Sequence, residues 1–210
     1  VSRLYARELG LDYPAESVLI ASGSRPAIYA TFTAVCDPGD RVVYPVPSWN
    51  NNHYAYLAGA AGVPVPCGPE DLFVPRPEAL VPHLSRARLL CLNSPLNPTG
   101  TVLSRERLAA LCRLGPWVVS DEIYHGLTYE GPEHTVLEFT DHAFVLNGFS
   151  KAFAMTDWRV GYVIAPREFI PPLTAMHGNF FISTHEFVQW AALAALREAT
   201  GESARLRPRG

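Results

Sequence analysis

The chain has 210 residues, 48% of them hydrophobic, and a formal net charge of −3. That length suits one large domain or two small ones with a sizeable core, and the charge gives no electrostatic reason for a nucleic-acid or anionic-membrane partner. No stretch approaches a membrane span, and Cys36, Cys67, Cys91 and Cys112 form no CxxC pair and have no His at metal-ligand spacing, so they read as reduced, mostly buried thiols of a cytoplasmic protein without a metal site.

In chain order, Val1–Glu8 is amphipathic and charged, which is no signal peptide. It has no initiator Met and begins inside a helical pattern, so the chain reads as a fragment. Ser17–Ala21 is a predicted strand, followed by Gly23-Ser24 and a helix to about Cys36. Asp37-Pro38-Gly39-Asp40 is a turn. Arg41–Tyr44 is a strand, Trp49–Ala60 a helix, Val63–Val65 a short strand and Pro77–Leu84 helical. Leu89–Leu92 is a buried strand entering the loop Asn93–Gly100, and Ser104 caps a helix to about Leu114. Trp117–Ser120, Ala143–Leu146 and Val160–Ala165 complete the strands. Ser183 with Glu186 forms a capping box opening a helix to about Glu198. The basic tail at Arg205, Arg207 and Arg209 reads as solvated and frayed.

Strands alternating with helices imply βαβ units and an α/β fold around a mainly parallel sheet. Ligands of such sheets lie beyond the carboxyl ends of the strands. Polar clusters follow the apolar strands there: Ser22–Arg25, Asn93–Thr99, Asp121–Tyr124 and Asn147–Lys151. Four such loops on one sheet edge define a site. Lys151 is the chain's one lysine.

Five segments carry a resemblance. Asn93-Ser94-Pro95-Leu96-Asn97-Pro98-Thr99-Gly100 resembles the NPxNPTG loop of class I/II aminotransferases, and Ser120-Asp121-Glu122-Ile123-Tyr124 resembles their SDEIY strand end. Ser150-Lys151 through Tyr162 resembles their lysine signature; Gly23-Ser24-Arg25-Pro26-Ala27 and Asp37-Pro38-Gly39-Asp40 match in the same order. The resemblance spans nearly the whole chain and is nearest to the bacterial aspartate aminotransferase branch. It implies the three-layer αβα large domain of fold type I enzymes, with residues 1–210 as the cofactor-binding domain, pyridoxal 5'-phosphate as cofactor, an amino acid and a 2-oxo acid as substrates, and a homodimer.

Carried over by position, the resemblance gives each chemical need of the cofactor a residue. Lys151 forms the Schiff base with the aldehyde and shuttles a proton at the substrate α-carbon. Asp121 pairs with the ring nitrogen, and Tyr124 and Asn97 bind the phenolic oxygen. Gly23, Ser24, Arg25 and Arg159 hold phosphate, through a helix N-terminus and guanidinium donors. Trp49 stacks on the ring. His125 has no motif support and reads as structural. Ser150 forms no GxSxG elbow, so a serine hydrolase is excluded there.

Two departures stand out. Asp157 occupies a position where the signature carries Gly or another small residue; it either strains the loop or places an acid near Arg159 that competes with phosphate. The arm bearing a phosphate-binding tyrosine and the small domain bearing the carboxylate-binding arginine are outside the 210 residues, so the chain alone is expected to bind cofactor weakly and transaminate hardly at all. Other functions on the same cofactor shell are a lyase or decarboxylase, and a non-catalytic sensor domain of a transcription regulator.

Overall fold

The computed structural model describes residues 1–49, 51–129 and 131–198; the basic tail at Arg205, Arg207 and Arg209 lies outside the described residues. Seven strands form one sheet: β1 (Val18–Ala21), β2 (Arg41–Val46), β3 (Ala61–Pro66), β4 (Ala87–Asn93), β5 (Trp117–Asp121), β6 (Ala143–Gly148) and β7 (Gly161–Ile164). Their order is β1-β7-β6-β5-β4-β2-β3. β2 through β6 pair in parallel, and β7 runs antiparallel to both β6 and β1.

The period-2 alternation of strand side chains sends neighbouring residues to opposite faces, and two separate cores result. Leu90, Leu92, Val118 and Val145 pack on one face with Tyr5 of α1 (Ser2–Leu9), Leu108 of α5 (Arg105–Cys112) and Val188 of α7 (Glu186–Glu198). Leu89, Cys91, Val119, Phe144 and Leu146 pack on the other with Phe32 of α2 (Ser24–Val35), Tyr54 of α3 (Asn51–Leu57) and Leu173 of α6 (Ile170–Phe181). A short α4 (Pro77–Leu80) continues into a 3-10 turn over Val81–His83. Helices on both sides of a mainly parallel sheet are the αβα layering expected from the sequence. The buried apolar runs are its source: each fully buried Leu or Phe is worth about 1.5–3 kcal/mol.

Boundaries differ from the sequence reading in instructive places. Ser17 belongs to a 3-10 turn over Ala15–Ser17, ahead of β1. The helix expected over Trp49–Ala60 is shorter, because Gly59 at φ 71° turns the chain toward β3. α6 had no sequence forecast: Pro171 and Pro172 disguise it, yet both sit in its first turn, where a missing N–H costs nothing. Ser104 does cap α5, its Oγ accepting from Arg107 N at 3.2 Å. The Ser183–Glu186 box does not form. Glu186 Oε1 instead accepts from Trp190 Nε1 at 3.3 Å, and the side-chain amide of Gln189 donates to Thr184 O at 2.7 Å. A capping box does occur elsewhere, between Thr135 and Glu138.

Candidate active site

The carboxyl ends of β4, β5 and β6, with the N-terminus of α2, border a cleft of about 610 Å³. Its walls include Ser24, Arg25, Trp49, Asn97, Asp121, Tyr124, Lys151 and Arg159. These come from five separate stretches of chain. Of the predicted cofactor residues, Gly23 does not face the cleft; it shapes the backbone beneath it.

The β4 and β5 ends are tied by Asn93, whose Nδ2 donates to Asp121 O at 2.8 Å while its Oδ1 accepts from Asn97 N at 2.8 Å. Asn97 is thereby fixed, and its Nδ2 donates to Tyr124 OH at 3.1 Å. Lys151 Nζ lies 5.7 Å from the centroid of the Tyr124 ring, within cation–π range. Asp121 Oδ1 accepts from Ile123 N at 3.1 Å. Burial pushes the Asp121 carboxyl up to about 6; the Ile123 donor pulls the other way, adjacent Glu122 adds to the rise, and His125 and Lys151 oppose it. Burial likewise raises the Tyr124 hydroxyl, with Asp121 adding to the rise and Asn97 opposing it.

At the other end of the cleft two glycines allow a left-handed turn and a close approach of two backbone segments. Gly23, the N-cap of α2, has φ 102°, and a Cβ there would lie 2.5 Å from Arg159 Nη2. A Cβ on Gly161 would come within 2.8 Å of Ser24 N. Arg159 takes a left-handed φ of 50° and donates from Nη1 to Thr156 O at 2.7 Å. Arg25 sits with its Cζ 5.6 Å from the Trp49 ring centroid, while Trp49 stays 48% exposed at the rim. Two guanidinium groups and the first N–H groups of a twelve-residue helix thus surround one small space, a donor set suited to a phosphate group.

Strain at Asp157, one of the two outcomes open from the sequence, does not arise. The left-handed residues of this loop are Ala154 and Arg159, and Asp157 is exposed beside Arg25 and Arg159 in the cleft wall. His125 faces away from the cleft, its Nδ1 3.5 Å from Glu122 Oε2, in keeping with a structural role. All four cysteines are free, and burial pushes the Cys36 and Cys112 thiols up to about 12.

Asn93 and Tyr54 are site residues the sequence reading did not single out. Asn93 opens the loop motif already quoted, which is a usable signal. Tyr54 lines the cleft from α3, its ring 5.8 Å from Phe32, and no motif marks it. Among the described residues no helix is long and apolar enough to cross a membrane.

Comparison with known proteins identifies the family. Residues 1–207 match the family described as aminotransferase class I and II. The aspartate/prephenate aminotransferase of Thermus thermophilus is 39% identical over 199 residues, covering 91% of this chain and 52% of that protein. The aspartate aminotransferase of Geobacillus stearothermophilus is 34% identical, covering 93% of this chain and 52% of its own length. Thermus thermophilus aspartate aminotransferase with maleate superposes with a TM-score of 0.92 at 36% identity, over 97% of this chain and 55% of that one. The chain therefore spans about half the length of the relatives it matches.

Proposed function

Because this chain belongs to the aminotransferase class I and II family, we propose that it is the cofactor-binding domain of an aminotransferase that moves an amino group between an amino acid, of aspartate or aromatic type, and a 2-oxo acid. Pyridoxal phosphate is the cofactor of the family. The observation that carries the proposal is the convergence of Lys151, Asp121, Tyr124 and Asn97 with the Gly23–Arg159 cradle on one cleft.

The residues fit the group. When bound, pyridoxal phosphate supplies an aldehyde that takes up amino groups and a ring that draws electrons from the substrate α-carbon. Lys151 would hold the aldehyde end and carry a proton at the substrate α-carbon. Asp121, pushed up to about 6 by burial, forms no ion pair among the described residues, and a protonated ring nitrogen beside it would be a partner that favours its charged form. Tyr124 and Asn97 bind the phenolic oxygen, Ser24, Arg25 and Arg159 hold phosphate on the glycine-shaped backbone, and Trp49 covers the ring.

Residues 1–210 stand as the large domain on this reading, the enzyme is cytoplasmic, and it works as a homodimer. The dimer is supported by a run of exposed apolar side chains on and around α6 and α7: Trp158, Phe180, Phe181, Ile182, Phe187 and Trp190. The names of the relatives favour aspartate as amino donor. The test adds pyridoxal phosphate, reduces with borohydride and maps the labelled peptide, alongside an assay with aspartate, tyrosine and 2-oxoglutarate. Label on Lys151 and turnover of an amino donor are expected. Label elsewhere, or no transfer by the full-length protein, overturns the proposal.

A further inference from the structure

Beside the cleft, past its phosphate end, lies a second concavity of about 920 Å³, lined by Ser22, Trp158, Thr184 and His185 among others. The side chains common to both spaces are Arg25, Asp157 and Arg159. The sill between the two is therefore made of two cations and one anion. Of the five charged groups in the cleft wall, Lys151 and Asp121 belong to the aldehyde and ring-nitrogen end, which leaves these three for the phosphate end.

Asp157 takes no part in any ion pair among the described residues. Arg159 turns its Nη1 to the carbonyl of Thr156 rather than to the neighbouring carboxylate. The Asp157 charge is exposed and has no ion-pair partner among the described residues, and it acts on whatever anion the two guanidinium groups attract.

We propose that Asp157 is a specificity-determining residue that weakens the hold on the cofactor's phosphate, so that binding depends more heavily on the Lys151–Asp121 end of the cleft. The proposal rests on the reading of the cleft as a pyridoxal-phosphate site. A bound phosphate meets a net charge of +1 from the sill rather than +2. Exposed charges separated by several ångströms act weakly and are screened by salt, so the effect is a tuning of affinity and not a block.

The experiment compares the full-length wild-type protein with Asp157→Asn and Asp157→Glu, titrating pyridoxal phosphate, unphosphorylated pyridoxal and inorganic phosphate by absorbance and calorimetry. Asp157→Asn should tighten pyridoxal phosphate and inorganic phosphate about two- to fivefold at low salt, the scale of exposed charge pairs. Pyridoxal should bind the variant as it binds the wild type, and Asp157→Glu should keep the wild-type values. The gain should vanish near 1 M salt, where screening acts over about 3 Å. Unchanged phosphate affinity in Asp157→Asn, or an equal change for pyridoxal and pyridoxal phosphate, overturns the proposal. If pyridoxal phosphate fails to bind at Lys151 at all, the functional reading falls, while the inorganic phosphate titration still decides the role of Asp157.

Discussion

Asp121 and Glu122 are adjacent carboxylates at the end of β5, both raised by burial, and they face opposite ways. Glu122 turns inward: its Oε1 accepts from Ser120 Oγ at 3.0 Å, Thr135 Oγ1 at 2.9 Å and Val136 N at 3.2 Å, with His125 Nδ1 3.5 Å from Oε2. Asp121 turns into the cleft with one backbone donor, Ile123 N. The difference separates a carboxylate that holds the fold together from one that waits for a ligand. A buried acid surrounded by donors is a structural joint; a buried acid with few donors and a charge deficit is poised for a cation. Strand alternation makes the assignment, because a one-residue step reverses the face.

The largest effect expected on the cleft side is at Lys151. Lys151→Ala removes the amine that holds the aldehyde and moves the proton, and should lower turnover about 10³-fold or more, since a positioned acid–base group alone contributes 10²–10⁴-fold. Single-turnover removal of the α-proton reads it; near-normal turnover would dissolve the site. Asp121→Asn keeps the shape and removes the charge, so α-proton removal should fall about 10²-fold with the cofactor still bound. A variant with normal rates would make Asp121 the equal of Glu122, another structural carboxylate.

Asp121 also has a pH signature. Its carboxyl, at about 6, lies above its unfolded value of 3.8, so the folded chain binds the proton more tightly. That stabilisation is complete below pH of about 4 and is lost as pH rises through about 6, at a cost on the order of 2–3 kcal/mol in the cofactor-free protein. Denaturant titrations across this window should show the loss, and Asp121→Asn should flatten it. On the opposite side, Glu122→Ala should cost about 2–4 kcal/mol in stability, because it leaves Ser120, Thr135 and Val136 N without their acceptor. If that variant unfolded no more easily than the wild type, the inward network would carry no weight.

Much of this contrast is legible in the sequence, and the remainder has physical reasons for being hidden. Strand ends are visible because apolar runs stop at Asn93, Asp121 and Gly148, and their polar followers gather at one sheet edge. Lys151 is marked by being the one lysine, and Arg159 by its place in the signature. The role of Asn93 depends on a side chain reaching across to the neighbouring strand, which no local pattern encodes. Tyr54 enters the cleft through the packing of α3 on α2, a tertiary fact. α6 was hidden because helix propensity penalises Pro171 and Pro172, and the penalty disappears only when they fall in the first turn. The Ser183–Glu186 pair had the right spacing, but its glutamate found Trp190 instead.

The smallest expected effect sharpens the boundary between binding and chemistry on the cleft side. Tyr124 contributes two things: a ring beneath Lys151 Nζ at 5.7 Å and a hydroxyl that accepts from Asn97 at 3.1 Å. Tyr124→Phe keeps the ring, and with it the cation–π contact, and deletes the hydroxyl alone. A single hydrogen bond has a net worth of about 0.5–1.5 kcal/mol, so cofactor affinity should fall about two- to tenfold. Stability should change by less than about 1 kcal/mol, in contrast to Glu122→Ala, since the hydroxyl opens on the cleft rather than on the buried donors gathered at Glu122 Oε1. The rate of α-proton removal at saturating cofactor should hold within about tenfold of the wild type. Equilibrium titration with pyridoxal phosphate and single-turnover kinetics separate the two quantities. A rate loss approaching that of Lys151→Ala would move the Tyr124 hydroxyl from holding the cofactor to handling the proton.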